Sequence, residues 1–303
     1  MKRITSVAIL LGVLAVGVFG YEGSIVYQGG LGAKALGMGG AFCALADDGT
    51  AALWNPAGIL AFGENVWISG ATSQKFGMVP FQMISGGFSF AGYGIGLLWG
   101  SASDNVGSPG IKTLNIFNSN LYGGTVAVKL GDFGWVGANL KYYVEKVQDK
   151  EYSGFGFDVG VLVPLMPEFA LGLVVKDLGA SLGGEAVSPV YVVGIGAKLL
   201  EGALKLAADV EFSKTFVVDY LRAGVEFFLI ESLGIRAGVA VPKLDFNKYF
   251  VTVGAGFALG GLSVDAAYVL QSNPGESLVL SATFLFGELL RPAPAPTPAP
   301  TPR

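Results

Sequence analysis

Between residues 64 and 286 apolar side chains alternate with small or polar ones in fourteen stretches, each closed by a turn signal. Period-2 alternation marks a strand whose two faces meet different surroundings. The stretches are 64–74, 82–90, 93–101, 118–130, 134–146, 154–164, 168–177, 189–200, 202–213, 218–229, 233–241, 248–259, 261–271 and 275–286. Most have roughly the 9 to 11 residues of a tilted strand that crosses a bilayer. Connections such as Ala91-Gly92, Glu201 and Gly260 are tight. The alternate ones, at 102–117, 147–153, 178–188, 214–217, 242–247 and 272–274, are mostly longer and more polar. Such an alternation suits an antiparallel barrel with both termini and the short turns at one end.

Composition narrows the choice further. The mean hydropathy is +0.57 and 52% of the residues are hydrophobic, yet no segment after residue 20 is long and apolar enough for a membrane helix. Backbone groups in lipid must all be paired, which leaves a closed β-barrel as the spanning structure. A soluble β-protein would carry more apolar strand faces than one core could cover. The expected fold is therefore all-β, a transmembrane antiparallel β-barrel of about 14 strands. The 47 glycines suit a wall approached closely by other backbone.

A net charge of −4 and a pI near 5.0 argue against a nucleic-acid partner. The absence of histidine removes Ser-His chemistry and the commonest metal ligand. No catalytic residue, metal or cofactor is expected, and the chain reads as a non-enzyme. The single cysteine, Cys43, cannot form an internal disulfide and reads as a small buried filler.

The ends carry their own signals. Met1-Lys2-Arg3, the apolar stretch Ile4 to Phe19 and the close on Val18-Phe19-Gly20 form the three parts of a secretory signal peptide at 1–20. After Phe286, proline stands at every second position from Pro292 to Pro302, which forbids helix and strand and gives a stiff spacer. Residues 287–303 read as a Pro/Ala-rich periplasmic tail, either a plain tail or a tether.

Parity assigns the faces. On 202–213, Leu204, Leu206, Ala208, Val210 and Phe212 share a face directed at lipid, leaving Lys205, Asp209 and Glu211 inside. The same parity puts Lys129, Lys141, Glu145, Asp158, Lys176, Lys198, Arg222, Glu226, Arg236 and Asp265 on the inner face. Mixed signs suit ion pairs that hold a plug or wall better than an ion-selective pore. Trp67, Tyr93, Trp99, Trp135, Tyr191, Tyr249 and Tyr268 lie towards strand ends and read as girdle residues at the lipid–water boundary.

Ahead of the strands stands GGLGAKALGMGGAFCALADDGTAALWNPAGIL, Gly29 to Leu60, with three charges and two helix-compatible stretches, 34–45 and 50–60. Its order of Met38-Gly39-Gly40-Ala41-Phe42, Ala46-Asp47-Asp48 and Asn55-Pro56-Ala57 resembles the N-terminal hatch of FadL-type outer-membrane transporters of hydrophobic compounds, closest to the PorV and UPF0164 branch. The resemblance implies a helical hatch or plug over residues 21–63, with Met38, Gly39, Gly40, Phe42, Asp47, Asp48, Asn55, Pro56 and Ala57 as its signature, and a barrel over 64–286. It further implies the cell outer membrane and passage of small hydrophobic, fatty-acid-like molecules. Membrane lipid, a small hydrophobic ligand and the barrel assembly machinery are the implied partners. The alternative it leaves open is a PorV-like docking partner for secreted or surface client proteins.

Overall fold

The computed structural model describes residues 31–75, 79–106, 114–271 and 275–289. The signal-peptide stretch, the start of the hatch, residues 107–113 and the proline-rich tail lie outside the described residues.

Sixteen strands are described: β1 (Asn65–Lys75), β2 (Val79–Phe90), β3 (Tyr93–Val106), β4 (Leu114–Lys129), β5 (Trp135–Val147), β6 (Lys150–Pro164), β7 (Phe169–Leu178), β8 (Ser181–Leu182), β9 (Glu185–Ala186), β10 (Val190–Leu199), β11 (Leu204–Phe212), β12 (Val218–Ile230), β13 (Leu233–Pro242), β14 (Phe250–Leu259), β15 (Leu262–Leu270) and β16 (Ser277–Leu285). All but β8 and β9 form one closed antiparallel barrel of fourteen strands, each paired with its sequence neighbour and sealed where β1 meets β16, Trp67 opposite Leu285. Closure leaves no edge strand unpaired. One helical turn, Phe286–Leu289, follows β16.

The strands match the fourteen alternating stretches one for one, but several run further. β3 continues to Val106 and β4 begins at Leu114, so Asn105 pairs with Asn115 inside the expected loop. The expected loop 147–153 shrinks to Gln148 and Asp149, with Gln148 at φ 55°. The β6 extension, Lys150 to Ser153, is mostly polar, and a ladder of backbone bonds needs no apolar period. β8 and β9 form a small hairpin within the expected loop 178–188; its turn, Gly183-Gly184, has φ 62° and 89°. Ala180, Leu182 and Val187 turn inward and pack in the lumen.

The outer wall is apolar. Ile84, Leu97, Leu140, Ile195, Leu206, Val253 and Leu280 are exposed on it, while Asp209, three residues from Leu206, is 1% exposed inside. Lipid covers such a belt; water would leave each square ångström about 25 cal/mol less favourable.

Residues 31–62 lie inside the lumen, from Ile59 and Leu60 against Gly94 near the short-turn end to Gly39 on Thr252 in the long-loop half of β14. They contain α1 (Ala33–Gly37), α2 (Ala51–Trp54) and a 3₁₀ helix (Pro56–Phe62), all shorter than the helix-compatible stretches suggested. Gly39 and Gly40, at φ 69° and 76°, end the first helix, and the wall takes over the backbone partners that a longer helix would have supplied. The contact is backbone on backbone. A Cβ added at Gly238 would fall on the amide of Gly39, and one at Gly172 on the carbonyl of Cys43.

Candidate functional site: the plugged lumen

The plug closes turns of its own, such as the Gly40 amide on the Ala35 carbonyl at 2.9 Å and the Leu45 amide on the Phe42 carbonyl at 3.1 Å, and the backbone groups left over must be satisfied by the wall. Small polar residues on the inner face do this. Thr252 Oγ1 accepts from the Gly39 amide at 3.0 Å and donates to the Gly37 carbonyl at 3.0 Å. Ser281 Oγ accepts from the Ala33 amide at 3.1 Å, Ser85 Oγ donates to the Gly49 carbonyl at 2.5 Å, and Asn139 Nδ2 donates to the Ala52 carbonyl at 2.7 Å. The Asp209 carboxylate takes two amides at once, Phe42 at 2.8 Å and Cys43 at 2.9 Å. Charge parity singled out Asp209 alone among these; the same parity places the Ser, Thr and Asn residues inward, and their fitness to hold backbone was the missed signal.

The plug signature lies at these contacts. Met38 and Phe42 are fully buried, Phe42 edge-on to Trp54 at 6.3 Å, and Gly40 lies beside Arg222. Asn55 caps the 3₁₀ helix by accepting from the Ala57 amide at 3.1 Å, and its Nδ2 donates to Cys43 of the plug at 2.9 Å and Val161 of β6 at 3.1 Å. Pro56 packs on Gly160, where a Cβ would collide with it.

Two of its carboxyls behave oppositely. Asp47 contacts Lys34 Nζ at 2.7 Å and Lys205 Nζ at 3.5 Å. Burial alone would raise the Asp47 carboxyl and lower the Lys34 ammonium, but the charges of Lys34 and Lys205 hold Asp47 well below the usual carboxylate range. Asp47 and Glu226 likewise hold Lys34 above its own. Asp48 has no ion-pair partner among the described residues; Thr50 donates to its Oδ1 from the amide at 2.8 Å and the hydroxyl at 2.6 Å. Burial pushes this carboxyl up to about 6, against those two bonds. Thr50 thus serves Asp48 and does not cap α2 with its own side chain. Burial, reinforced by Asp209, pushes the Cys43 thiol well up, which keeps it neutral and unreactive.

From Asp47 an ion-pair chain enters the wall. Lys205 reaches Glu226 at 2.9 Å, Glu226 reaches Arg236 at 2.6 Å, and Arg236 reaches Asp265 at 2.7 Å. With Lys34 and Asp47 the chain has three charges of each sign, so its burial leaves no net charge to solvate. A second cluster joins β5, β6 and β7: Lys141 contacts Asp158 at 2.5 Å and Asp177 at 2.7 Å, and Tyr143 donates to Asp177. Asp177 was not among the expected lumen residues, because strict alternation points it outward. A register shift between Phe157 and Val159 breaks the alternation there, Asp177 adopts φ 56°, and Asp158 accepts from its amide at 2.9 Å. Of the other expected lumen residues, Arg222 pairs with Glu211 at 2.7 Å, Glu145 accepts from Ser119 at 2.9 Å, and Lys176 lies over the Trp54 ring at 5.5 Å. Lys129 and Lys198 are exposed near the short-turn end of their strands.

Opposite the ion pairs the lumen is apolar. Trp67, Phe81, Met83, Leu98 and Leu121 of β1 to β4 pack with Leu31, Leu53, Ile59, Leu60 and Phe62 of the plug and with Leu182 of the inward hairpin, in one cluster. Two of the aromatics expected in the girdle belong here. Trp67 is 2% exposed and stacks on Phe62 at 4.9 Å, and Trp135 packs against the same cluster. Their positions near strand ends suggested the boundary, but parity points both inward, towards the plug.

No sequence-family profile and no curated protein sequence matches the chain. Solved structures do match by shape. The Ralstonia pickettii toluene transporter TbuX superposes with a TM-score of 0.63 at 14% identity, over 85% of this chain and 98% of that one. The CymD monoaromatic hydrocarbon channel gives the same four values. A Pseudomonas aeruginosa FadL homologue gives 0.59 and 13%, over 84% and 98%. The chain has their fold. That fold is a closed fourteen-stranded barrel, and here residues 31–62 occupy its lumen.

Proposed function

We propose that the protein is an outer-membrane channel that binds and passes small hydrophobic molecules through a plugged lumen, acting by permeation and not as an enzyme. The observation that carries this is the apolar cluster on the β1–β4 side, which runs from the hairpin at the long-loop end past the plug to Leu60 and Trp135 at the short-turn end. A hydrophobic solute gains about 25 cal/mol for each square ångström it withdraws from water, so such a column collects what a water-filled pore would not. The apolar outer belt supports a place in lipid, and the basic, then apolar N-terminus supports export across the inner membrane. The short-turn end, with the plug, would face the periplasm. The fold shared with hydrocarbon channels supports the substrate class, and the order of the plug motifs supports placement near the PorV and UPF0164 branch. The inner-wall carboxylates and amines that form ion pairs hold structure together, which leaves them unsuited to acid–base chemistry.

The test is uptake of radiolabelled toluene by Gram-negative cells whose own hydrophobic-compound channels are deleted, with and without this protein. Faster uptake with the protein, together with small lipophilic molecules found by mass spectrometry in the detergent-extracted barrel, is expected. Equal uptake and an empty barrel would refute the proposal.

A further inference from the structure

At the short-turn end a cavity of about 220 Å³ opens between the end of the 3₁₀ helix and the β2–β3 turn. Leu60, Phe90 and Trp135 give it apolar lining, and Glu64 and Lys129 bring one charge of each sign. Two contacts fix its shape: Ser89 Oγ donates to the Gly63 carbonyl, and the Ala91 amide donates to Glu64 Oε1 at 3.4 Å. Leu60 is also the boundary with the lumen. It is 8% exposed, belongs to the apolar cluster with Phe62, Trp67 and Leu98, and with Ile59 lies against Gly94, where a Cβ would come within 3.1 Å of both side chains. Leu60 and Trp135 thus line the cavity on one side and pack with the apolar column on the other.

Resting on the channel reading above, we propose that this cavity is a release subsite, in which a neutral molecule of about one ring pauses after passing Leu60 and before leaving the barrel. Size and charge set the ligand class. An apolar cavity of about 150 Å³ holds benzene, so this one takes a ring with a small substituent. Its lining charges balance, so it offers no selection for an ion. Phe90 and Trp135 offer ring edges and faces to an aromatic guest.

The experiment uses the full barrel labelled with fluorotryptophan, the Trp135 resonance being identified by its loss in Trp135→Phe. Titration with toluene should shift that resonance saturably. Lys129→Phe, a change at an exposed position, should fill the cavity, abolish the shift and slow toluene uptake by expressing cells, while Leu60→Ala should widen the passage and quicken uptake. Heat-modifiable migration on gels confirms that each variant is folded. If the parent speeds uptake but Lys129→Phe matches it, or the Trp135 resonance does not saturate, the release subsite is overturned and the channel reading stands. If the parent does not speed uptake at all, the channel reading fails and the release subsite with it, whatever the resonance does.

Discussion

Replacing Asp48 by Asn should seat the plug more firmly. Asp48 is 8% exposed, and its carboxyl is raised to about 6 from an ordinary value of 3.8. Its neighbours divide: Thr50 and Lys34 favour the charged form, burial and Asp265 oppose it. A seated plug therefore binds this proton more tightly than a plug lifted into wet lumen. The sign follows from linkage. The seat is fully stable below 3.8, loses stability as pH rises through about 6, and at neutral pH carries the whole cost of the buried charge. That cost is about 3 kcal/mol, or roughly a 100-fold change in the seating equilibrium. Asn keeps the Oδ1 acceptor that Thr50 uses and removes the charge.

Cys43 supplies the assay. It is the only cysteine and is 1% exposed between plug and wall, so its reaction with dithiodipyridine reports unseating. At about pH 7.5 the parent should label roughly 100-fold faster than Asp48→Asn, and at about pH 4 the two should label alike. Comparing the two proteins at one pH cancels the ionisation of the thiol itself. A ratio that stays flat with pH, or faster labelling of the Asn variant, would refute the reasoning.

Asp47→Asn should do the reverse: it strips Lys34 of its partner at 2.7 Å, costs about 3 kcal/mol and speeds Cys43 labelling at neutral pH. Because Asp47 is held below the usual carboxylate range, its contribution in the parent should survive acidification that protonates Asp48. Gly238→Val should leave the barrel heat-modifiable, since valine suits a strand, but evict the Met38–Gly40 turn; unchanged Cys43 labelling and unchanged sugar leakage in liposome swelling would count against backbone-on-backbone seating. Leu206→Arg should block assembly, at about 2 to 4 kcal/mol for a cation on the lipid face, whereas Lys205→Gln should assemble yet loosen the plug, because Glu226 keeps Arg236 while Asp47 loses a contact. Normal assembly of Leu206→Arg would mean the faces are reversed.

Alternation made all fourteen wall strands legible because lipid imposes an apolar period on every one. Where lipid ends, the period ends, which is why β6 ran past its expected limit. Gly183-Gly184 is an ordinary two-residue hairpin turn, and could have been read as one within the loop. Parity told which charges face inward but not which meet: Lys205 finds both Asp47, 158 residues away, and Glu226, and only the closed barrel brings them together. Asp177 escaped for a different reason, since one bulge reverses the parity beyond it. The plug motifs were legible as a run built to pack, while its helices were overestimated because nothing local shows that the wall will take their hydrogen bonds.

The two halves of the plug are held by different forces, and this decides what a hydrophobic ligand can move. Residues 33–49 pack in small apolar clusters, such as Cys43 with Val174 and Val192, but are fixed in addition by Asp209, Thr252 and Ser281 and by the ion pairs of Asp47, contacts that depend on direction and charge. A hydrocarbon can replace none of them. Ile59, Leu60 and Phe62 of the 3₁₀ helix are held mainly by apolar packing against β1 to β4, and a hydrocarbon can replace that area for area at about 25 cal/mol per Å². Ligand should therefore compete with the second half of the plug and leave the first in place. In the parent, toluene should leave Cys43 labelling unchanged, whereas in a Cys43→Ser background a Leu60→Cys thiol should label faster as toluene is added. Acceleration at Cys43 would show that the plug moves as one body, and the division of forces would then not govern its motion.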